Sequence, residues 1–202
     1  MFFVSWWFIL PAFVFPGHFS YLPRTMRNQY DEGDVRRFVE SLVSQISAEF
    51  NPLKPLNVIG IRTRGETLAQ RLTEELKNLG FQHIARGVLD ITLYRDDLSE
   101  IGPRPMVRPT QINLAIDAVP LLLVDDVLFT GRSIRAALDA LSDFGRPSAI
   151  ELAVLVDRGG RELPIQADFI GLTLKDVPRD HRVYVRLKEN DGRDEITVEP
   201  KS

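Results

Sequence analysis

Residues 121–134, LLLVDDVLFTGRSI, constrain this chain more than any other stretch. Four apolar residues run directly into two adjacent carboxylates, Asp125 and Asp126, and a short apolar spacer leads to Thr130-Gly131-Arg132-Ser133 before helical periodicity begins. An apolar run without polar alternation reads as a strand covered on both faces, the habit of a parallel sheet flanked by helices. Ligands of such sheets sit beyond the carboxyl ends of the strands. The hydroxyls of Thr130 and Ser133 and the unpaired N–H groups of a helix start favour a phosphate there, and Gly131 lets the backbone approach it. The two aspartates would repel that phosphate. They suit a pair of sugar hydroxyls, or a magnesium ion that accompanies a second phosphate group.

The 202 residues fit one domain with a proper core. A net charge of −3 and a pI near 5.7 give no global basic field for nucleic acid, which leaves at most a local basic face. With no cysteine, disulfides, thiolate nucleophiles and cysteine-based zinc sites are excluded together. His18, His83 and His181 stand far apart, follow no metal spacing and read as surface or packing residues. Residues 2–15, FFVSWWFILPAFVF, form an aromatic apolar run interrupted by Pro11, shorter than the about 20 residues that a bilayer-spanning helix needs. No Lys or Arg precedes it and no small-x-small site follows, which argues against a secretory signal. The expectation is that residues 1–25 are a non-native or disordered leader ahead of a start at Met26, with a membrane-surface anchor as the competing reading. Residues 26–202 then form the domain, deletion of the leader leaves folding and activity intact, and the protein is cytoplasmic.

Along the rest of the chain the apolar period alternates between helix and strand. Val35, Phe38, Val39, Leu42, Val43 and Ile46 recur at helical spacing behind Asp31 and Asp34, and Pro52 stops the run. Residues 56–61 predict a buried strand, and Arg62-Thr63-Arg64-Gly65 leads into a second helix through Leu68, Leu72, Leu76 and Leu79, closed by Gly80. That turn offers backbone N–H groups and guanidinium to an anion. Residues 87–93 predict the next strand, ending in Tyr94-Arg95-Asp96-Asp97; residues 98–113, with Pro103, Pro105 and Pro109, make a connection of the length that serves as a lid. After the central strand, Ile134, Leu138 and Leu141 mark one side of a helix ended by Gly145-Arg146-Pro147. A strand at 150–156 finishes in Asp157-Arg158-Gly159-Gly160-Arg161, and three short strands follow at 169–171, 183–187 and 196–198, the last two joined by an Asp191-Gly192 hairpin turn. Four consecutive strands thus end in polar turns, at Arg62, Tyr94, Asp125 and Asp157. In an open parallel sheet those turns share one edge, which argues for a single composite site.

The string LLLVDDVLFTGRSI resembles the phosphoribosyl-pyrophosphate (PRPP) signature of the type I phosphoribosyltransferases. With GIRTRGETLAQRL, LDITLYRDDL, GRPSAIELAVLVDRG and RELPIQADFIG, the chain from about residue 30 onward resembles one family among them, PyrR, the pyrimidine-operon attenuators and uracil phosphoribosyltransferases. The resemblance implies an α/β, type I phosphoribosyltransferase fold: a central, mostly parallel sheet flanked by helices with a small hood. It implies conversion of uracil and PRPP to UMP and diphosphate. Magnesium is the implied cofactor, held mainly through PRPP and by Asp125 and Asp126. The 5′-phosphate falls to Val127, Leu128, Phe129, Thr130, Gly131, Arg132 and Ser133, and the ribose hydroxyls to Asp125 and Asp126. Diphosphate falls to Thr63, Arg64 and Gly65, in a loop that often holds a non-proline cis peptide. The mobile flap runs from Arg95 to about Thr110 and carries Arg95, Asp96, Asp97, Arg104 and Arg108. Asp125, Asp126 and Arg64 are the implied catalytic residues. Breaking the bond from the anomeric carbon to diphosphate builds positive charge on the sugar and negative charge on the leaving group, so positioning and electrostatics suffice and no covalent nucleophile is required. A flap keeps water from the ribosyl cation.

Phe129 separates substrates. Purine salvage relatives carry an acid immediately before the Thr-Gly, whereas an acid-free site fits a pyrimidine whose ring N–H is already labile. Uracil would then be read by backbone around Val156, Asp157 and Arg158. Regulatory members of the family bind pyrimidine-operon leader mRNA through a basic dimer face in response to UMP or UTP. Gly160, Gln166 and Leu172 stand where those regulators show His, Arg and Lys, while Arg36, Arg37 and Arg161 remain. Each lost cation weakens an RNA contact. Three function classes therefore stay open: a uracil salvage enzyme, an RNA-binding attenuator, and a PRPP or nucleotide sensor with negligible turnover. The family implies homodimers or homotetramers.

Overall fold

The computed structural model describes residues 27–94 and 109–201. The leader at 1–25 and the flap residues Arg95, Asp96, Asp97, Arg104 and Arg108 lie outside the described residues. Eight strands and four helices follow one another as β1 (Gln29–Tyr30), α1 (Glu32–Glu49), β2 (Leu56–Ile61), α2 (Arg64–Asn78), β3 (Ile84–Leu89), β4 (Leu121–Leu128), α3 (Arg132–Leu141), β5 (Ile150–Asp157), β6 (Phe169–Thr173), β7 (His181–Arg186), α4 (Lys188–Asp191) and β8 (Glu195–Pro200). Five strands form a parallel sheet in the order β3-β2-β4-β5-β6, and three form a small antiparallel sheet in the order β1-β8-β7. The large sheet is the expected doubly covered platform. The small one is the hood.

Side-chain alternation divides the sheet's apolar residues between two cores. Val58, Leu122, Val124 and Leu155 face α1 and α2, joined by hood residues Tyr30, Val183, Val185 and Ile196. Ile59, Ile61, Leu121, Leu123 and Val154 face α3. Each such side chain, fully removed from water, contributes about 1.5–3 kcal/mol, which is why β2, apart from Asn57, and the first half of β4 read as apolar runs. Helix α1 starts on a reciprocal cap: Asp31 accepts from the Asp34 N–H at 3.0 Å and Asp34 from the Asp31 N–H at 3.2 Å. Burial alone would raise the Asp34 carboxyl, but the Asp31 N–H together with Arg27 and Arg37 holds it below the ordinary carboxylate range.

Several boundaries differ from the sequence reading. Strand β3 begins at Ile84 and stops at Leu89, with a 3-10 turn over Thr92–Tyr94 where strand was expected. The Asp90 carboxylate, bonded to the N–H and hydroxyl of Thr92, stabilises that turn. Strand β4 continues past Val124 to Leu128, because β5 accompanies it as far as the Leu128↔Asp157 pair while β2 leaves at Val124↔Gly60. The acid pair is therefore on the strand, not after it. In α3, Leu138 is 38% exposed and the buried face is built from Ile134, Ala136, Ala137, Ala140 and Leu141; small alanines let the helix lie close to the sheet. Leu79 is 56% exposed at the end of α2, where Gly80, at φ +93°, turns the chain. Asp191-Gly192 does not make a two-residue hairpin turn: α4 fills the connection and Gly192 closes that helix at φ +77°.

Candidate active site

The chain moves outward in opposite directions from β2 and β4, so these two neighbours flank the topological switch point, where a crevice opens beyond their carboxyl ends. A cleft of about 590 Å³ lies there. It is lined from four strand ends: Arg62 and Thr63 after β2, Asp90, Ile91 and Thr92 after β3, the continuous run from Asp125 to Ile134 over the end of β4 and beyond it, and Arg158 after β5. Arg182 and Val183 of β7 close it from the hood. The expected one-sided composite site is thus present, with Asp125, Asp126, Val127, Leu128, Phe129, Thr130, Gly131, Arg132 and Ser133 all on its wall.

Asp125 is 7% exposed and its Oδ1 accepts the Asp126 N–H at 3.0 Å. Burial pushes the Asp126 carboxyl above its usual range, opposed by a hydrogen bond with Asp125, by the Arg64 charge and by the Val127 N–H. A cation or a pair of hydroxyl donors brought to the acids restores the charged form. Beyond them, Gly131 takes φ +91° and α3 begins, aiming the first turn's N–H groups at the cleft. This loop is braced from behind. The N–H groups of Glu162 and Leu163 donate to the Thr130 carbonyl at 3.0 and 3.1 Å, and Arg132 forks onto Glu162 at 2.8 Å. Arg161 donates to the carbonyls of Phe129 and Ile165, each at 2.9 Å, and pairs with Asp157 at 2.6 Å. Arg161, expected on an RNA-binding face, is a brace of the loop from Phe129 to Ser133. Arg36 and Arg37 do stand exposed on α1, the latter paired with Asp34.

On the opposite wall the Arg62–Thr63 peptide is cis, as the resemblance implies for the diphosphate loop. Thr63 faces the cleft, but Arg64 and Gly65 are already in α2 and outside the lining. The Arg64 guanidinium forks onto Asp191 with bonds of 2.7 and 3.1 Å, and that bond, against the opposing effect of burial and aided by the Asp191 and Asp126 charges, holds its proton more tightly than usual. Gly65 serves packing: a Cβ there would lie 2.5 Å from the Val124 carbonyl oxygen and 3.1 Å from the Asp125 Cα, so only glycine lets α2 sit on the end of β4. Arg62, which the sequence reading gave to this turn but not to the diphosphate residues, carries the charge that lines the cleft on this wall, its Nε buried without a hydrogen-bond partner.

The residues expected at the base divide similarly. Val156 is fully buried in the core, and Asp157 is engaged by Arg161 and by the Gly159 N–H at 2.8 Å. Arg158 alone of the three lines the cleft, although its N–H donates to the Leu128 carbonyl at 3.1 Å. Its guanidinium, 5% exposed as a residue, stacks 3.9 Å over the Phe129 ring and donates to the carbonyls of His181 and Pro178 at 2.9 and 3.3 Å. Burial weakens its hold on its proton. Gly160 fits this stack, since a Cβ there would come within 2.6 Å of the Phe129 ring. Asp90 and Thr92, also missed, close the β3 side, and the Asp90 N–H donates to the Thr110 hydroxyl at 3.1 Å.

Two adjacent carboxylates facing a cleft fit a magnesium ion in part. Among the described residues no group of three or more His, Cys, Asp or Glu is placed to hold a metal, so an ion there needs substrate oxygens to complete its shell, the usual habit of magnesium with phosphates. Among those residues no helix is long and apolar enough to cross a membrane.

Comparison with known proteins follows this geometry. A family model described as phosphoribosyl transferase domain matches residues 28–184. A protein from a Roseiflexus species named bifunctional protein PyrR is 51% identical over 164 residues, covering 80% of this chain and 88% of that protein. One of the same name from Mycobacterium bovis is 46% identical over 184 residues, covering 87% of this chain and 94% of the relative. Among solved structures, a hypoxanthine-guanine phosphoribosyltransferase from Bacillus anthracis aligns with a TM-score of 0.62 at 16% identity, over 86% of this chain and 98% of that one. A hypoxanthine phosphoribosyltransferase from Trypanosoma cruzi gives 0.65 at 17%, over 86% and 90%. These two likenesses speak for the fold, a five-stranded parallel sheet with helices, and the close relatives for the branch. The chain therefore belongs to the phosphoribosyltransferases, enzymes of pentosyl transfer, and within them to the PyrR family.

Proposed function

We propose that this protein transfers the ribose 5-phosphate of PRPP to uracil, giving UMP and diphosphate, and that it is also a regulator of pyrimidine operon expression through mRNA. The observation that carries the first part is the continuous wall from Asp125 to Ser133, which sets an acid pair beside a braced helix start in one cleft. The 5′-phosphate lies on the N–H groups and hydroxyls of Thr130, Gly131, Arg132 and Ser133, fixed before the substrate arrives. Asp125 and Asp126 accept the ribose hydroxyls and stabilise the positive charge that grows on the sugar. Thr63 and Arg62 face the departing diphosphate, and the Arg64 charge lies behind them, outside the cleft lining. Asp125 and Asp126 with substrate oxygens would hold magnesium, which neutralises the leaving group's developing charge. The base lies towards Phe129 and Arg158, with Phe129 standing immediately before Thr130-Gly131, where purine salvage relatives carry an acid.

The test is direct. Purified protein with PRPP and magnesium is expected to form UMP from uracil and to leave hypoxanthine unchanged. Product from hypoxanthine, or no magnesium-dependent PRPP uptake by calorimetry, sinks the reading. The regulatory part is supported by the resemblance and by the exposed Arg36 and Arg37, and it is weakened by Gly160, Gln166 and Leu172 and by the withdrawal of Arg161 into the loop. Filter binding of pyrimidine-operon leader RNA, with and without UMP or UTP, decides it. Light scattering in the same buffer reads whether the protein is a homodimer or a homotetramer.

A further inference from the structure

The hood hairpin closes against α2 through three side chains on one helical face. Arg64 forks onto Asp191, the Thr67 hydroxyl donates to Asn190 at 2.6 Å, and Arg71 bridges Glu189 and Asp194 with bonds between 2.5 and 2.9 Å. Their spacing of three and four residues is that of neighbours on a helix surface. The second and third contacts fasten the hairpin to a part of the helix remote from the cleft. The first holds a residue whose two chain neighbours have fixed places at it: Thr63 on the wall and Gly65 against Val124 and Asp125. Asp191 is itself immobilised, since its Oδ2 also accepts the Leu187 N–H at 2.9 Å.

An arginine in the first turn of a helix is poorly placed. The positive end of the macrodipole disfavours it, and a free guanidinium carries about 2 kcal/mol of rotamer entropy that a ligand must remove. The Asp191 fork, at 2.7 and 3.1 Å, answers both problems. Arg64 is 38% exposed and Asp191 19%, so the fork is partly screened from water, and the turn that ends in Arg64 is oriented before a polyanion reaches the cleft.

We propose that Asp191 is a positioning residue for the transfer reaction. By forking onto Arg64 it fixes the turn from Arg62 to Gly65 against the acid pair, so that the leaving diphosphate meets a preset loop. This rests on the phosphoribosyl-transfer reading and names a determinant of the diphosphate side of that site. It places the hood, which also lines the cleft through Arg182 and Val183, in control of the diphosphate side of the substrate.

The test is a double-mutant cycle read on both substrates. Asp191→Asn keeps the shape of the side chain and removes its charge; it is expected to raise the KM for PRPP and the Kd for magnesium diphosphate about tenfold, with the KM for uracil within about twofold of the parent. The double variant with Arg64→Gln is expected to be no worse than Arg64→Gln alone. Arg71→Ala releases the other anchor of the same hairpin; it should lower Tm and leave the KM for PRPP unchanged. Additive losses in the cycle, or an Arg71→Ala effect on PRPP as large as that of Asp191→Asn, would show Asp191 to be a fastening of the hairpin only and overturn the proposal. Calorimetry on the wild-type protein separates the two levels: no magnesium diphosphate or PRPP binding there defeats the transfer reading itself, whereas binding with an additive cycle defeats only the role of Asp191.

Discussion

The two loops that flank the switch point are held in place in contrasting ways. The loop from Phe129 to Ser133 is braced by its own neighbour in the sheet, through Arg161, Glu162 and Leu163 just beyond β5, some thirty positions along the chain. The loop from Arg62 to Gly65 is braced from the hood by Asp191, 127 positions away. One half of the cleft is therefore a property of the sheet. The other depends on how a second, smaller sheet docks. The 5′-phosphate subsite should persist under perturbations that loosen the diphosphate side.

The largest effect is expected where both loops serve the same group. Asp126→Asn should lower kcat by at least about 10²-fold with an unchanged Tm, because it removes charge opposite the developing sugar cation; near-normal UMP formation would remove that role. Next come the two glycines, which fail for different reasons. Gly65→Ala drives a Cβ to 2.5 Å from β4 backbone and should cost about 3 kcal/mol in urea unfolding, with loss of PRPP binding. Gly131→Ala meets nothing nearer than 3.4 Å and suffers only from φ +91°, about 1–2 kcal/mol. Equal losses at the two would erase the contrast between collision and backbone conformation. Arg161→Ala should cost about 2 kcal/mol and weaken PRPP more than uracil, since it leaves the Phe129 and Ile165 carbonyls unpaired; loss of RNA binding at full stability would instead restore the RNA role expected from sequence.

The smallest effect concerns pH. The hydrogen bond from Arg64, against the opposing effect of burial, holds the Asp191 carboxyl below the ordinary carboxylate range. Its folded pKa is depressed, so the latch contributes fully above the unfolded value near 4 and fades as pH falls through the lower folded value. Urea midpoints between about pH 5 and 2.5 should fall less steeply in Asp191→Asn than in the parent. Parallel curves would remove Asp191 from the acid limb.

The sheet and the turn from Phe129 to Ser133 were legible because their determinants are local: uniform apolar runs, a glycine that needs positive φ, hydroxyls beside it. What escaped depends on tertiary placement. Arg62 and Arg64 look equivalent in Arg-Thr-Arg-Gly, yet one ends a strand and points into the cleft while the other begins a helix and turns to the hood. Asp90 was taken for strand interior because the period over residues 87–93 does not reveal that its carboxylate folds back on Thr92. Arg182 reaches the cleft only because the hood docks there. Arg161 reads as surface charge until the carbonyls it serves are brought to it by the adjacent strand.

The overhang of β4 beyond β2 resolves a stereochemical puzzle. Consecutive residues of a covered strand point to opposite faces and cannot both greet one molecule. Asp125 and Asp126 both line the same cleft because they lie past the last β2 pair, where the strand is flanked on one side only and the hollow wraps its bare edge. On the proposed reading a vicinal diol would be met edge-on by neighbouring carboxylates, and lengthening β2 by a single residue pair would hide one of them and lower activity without touching either acid.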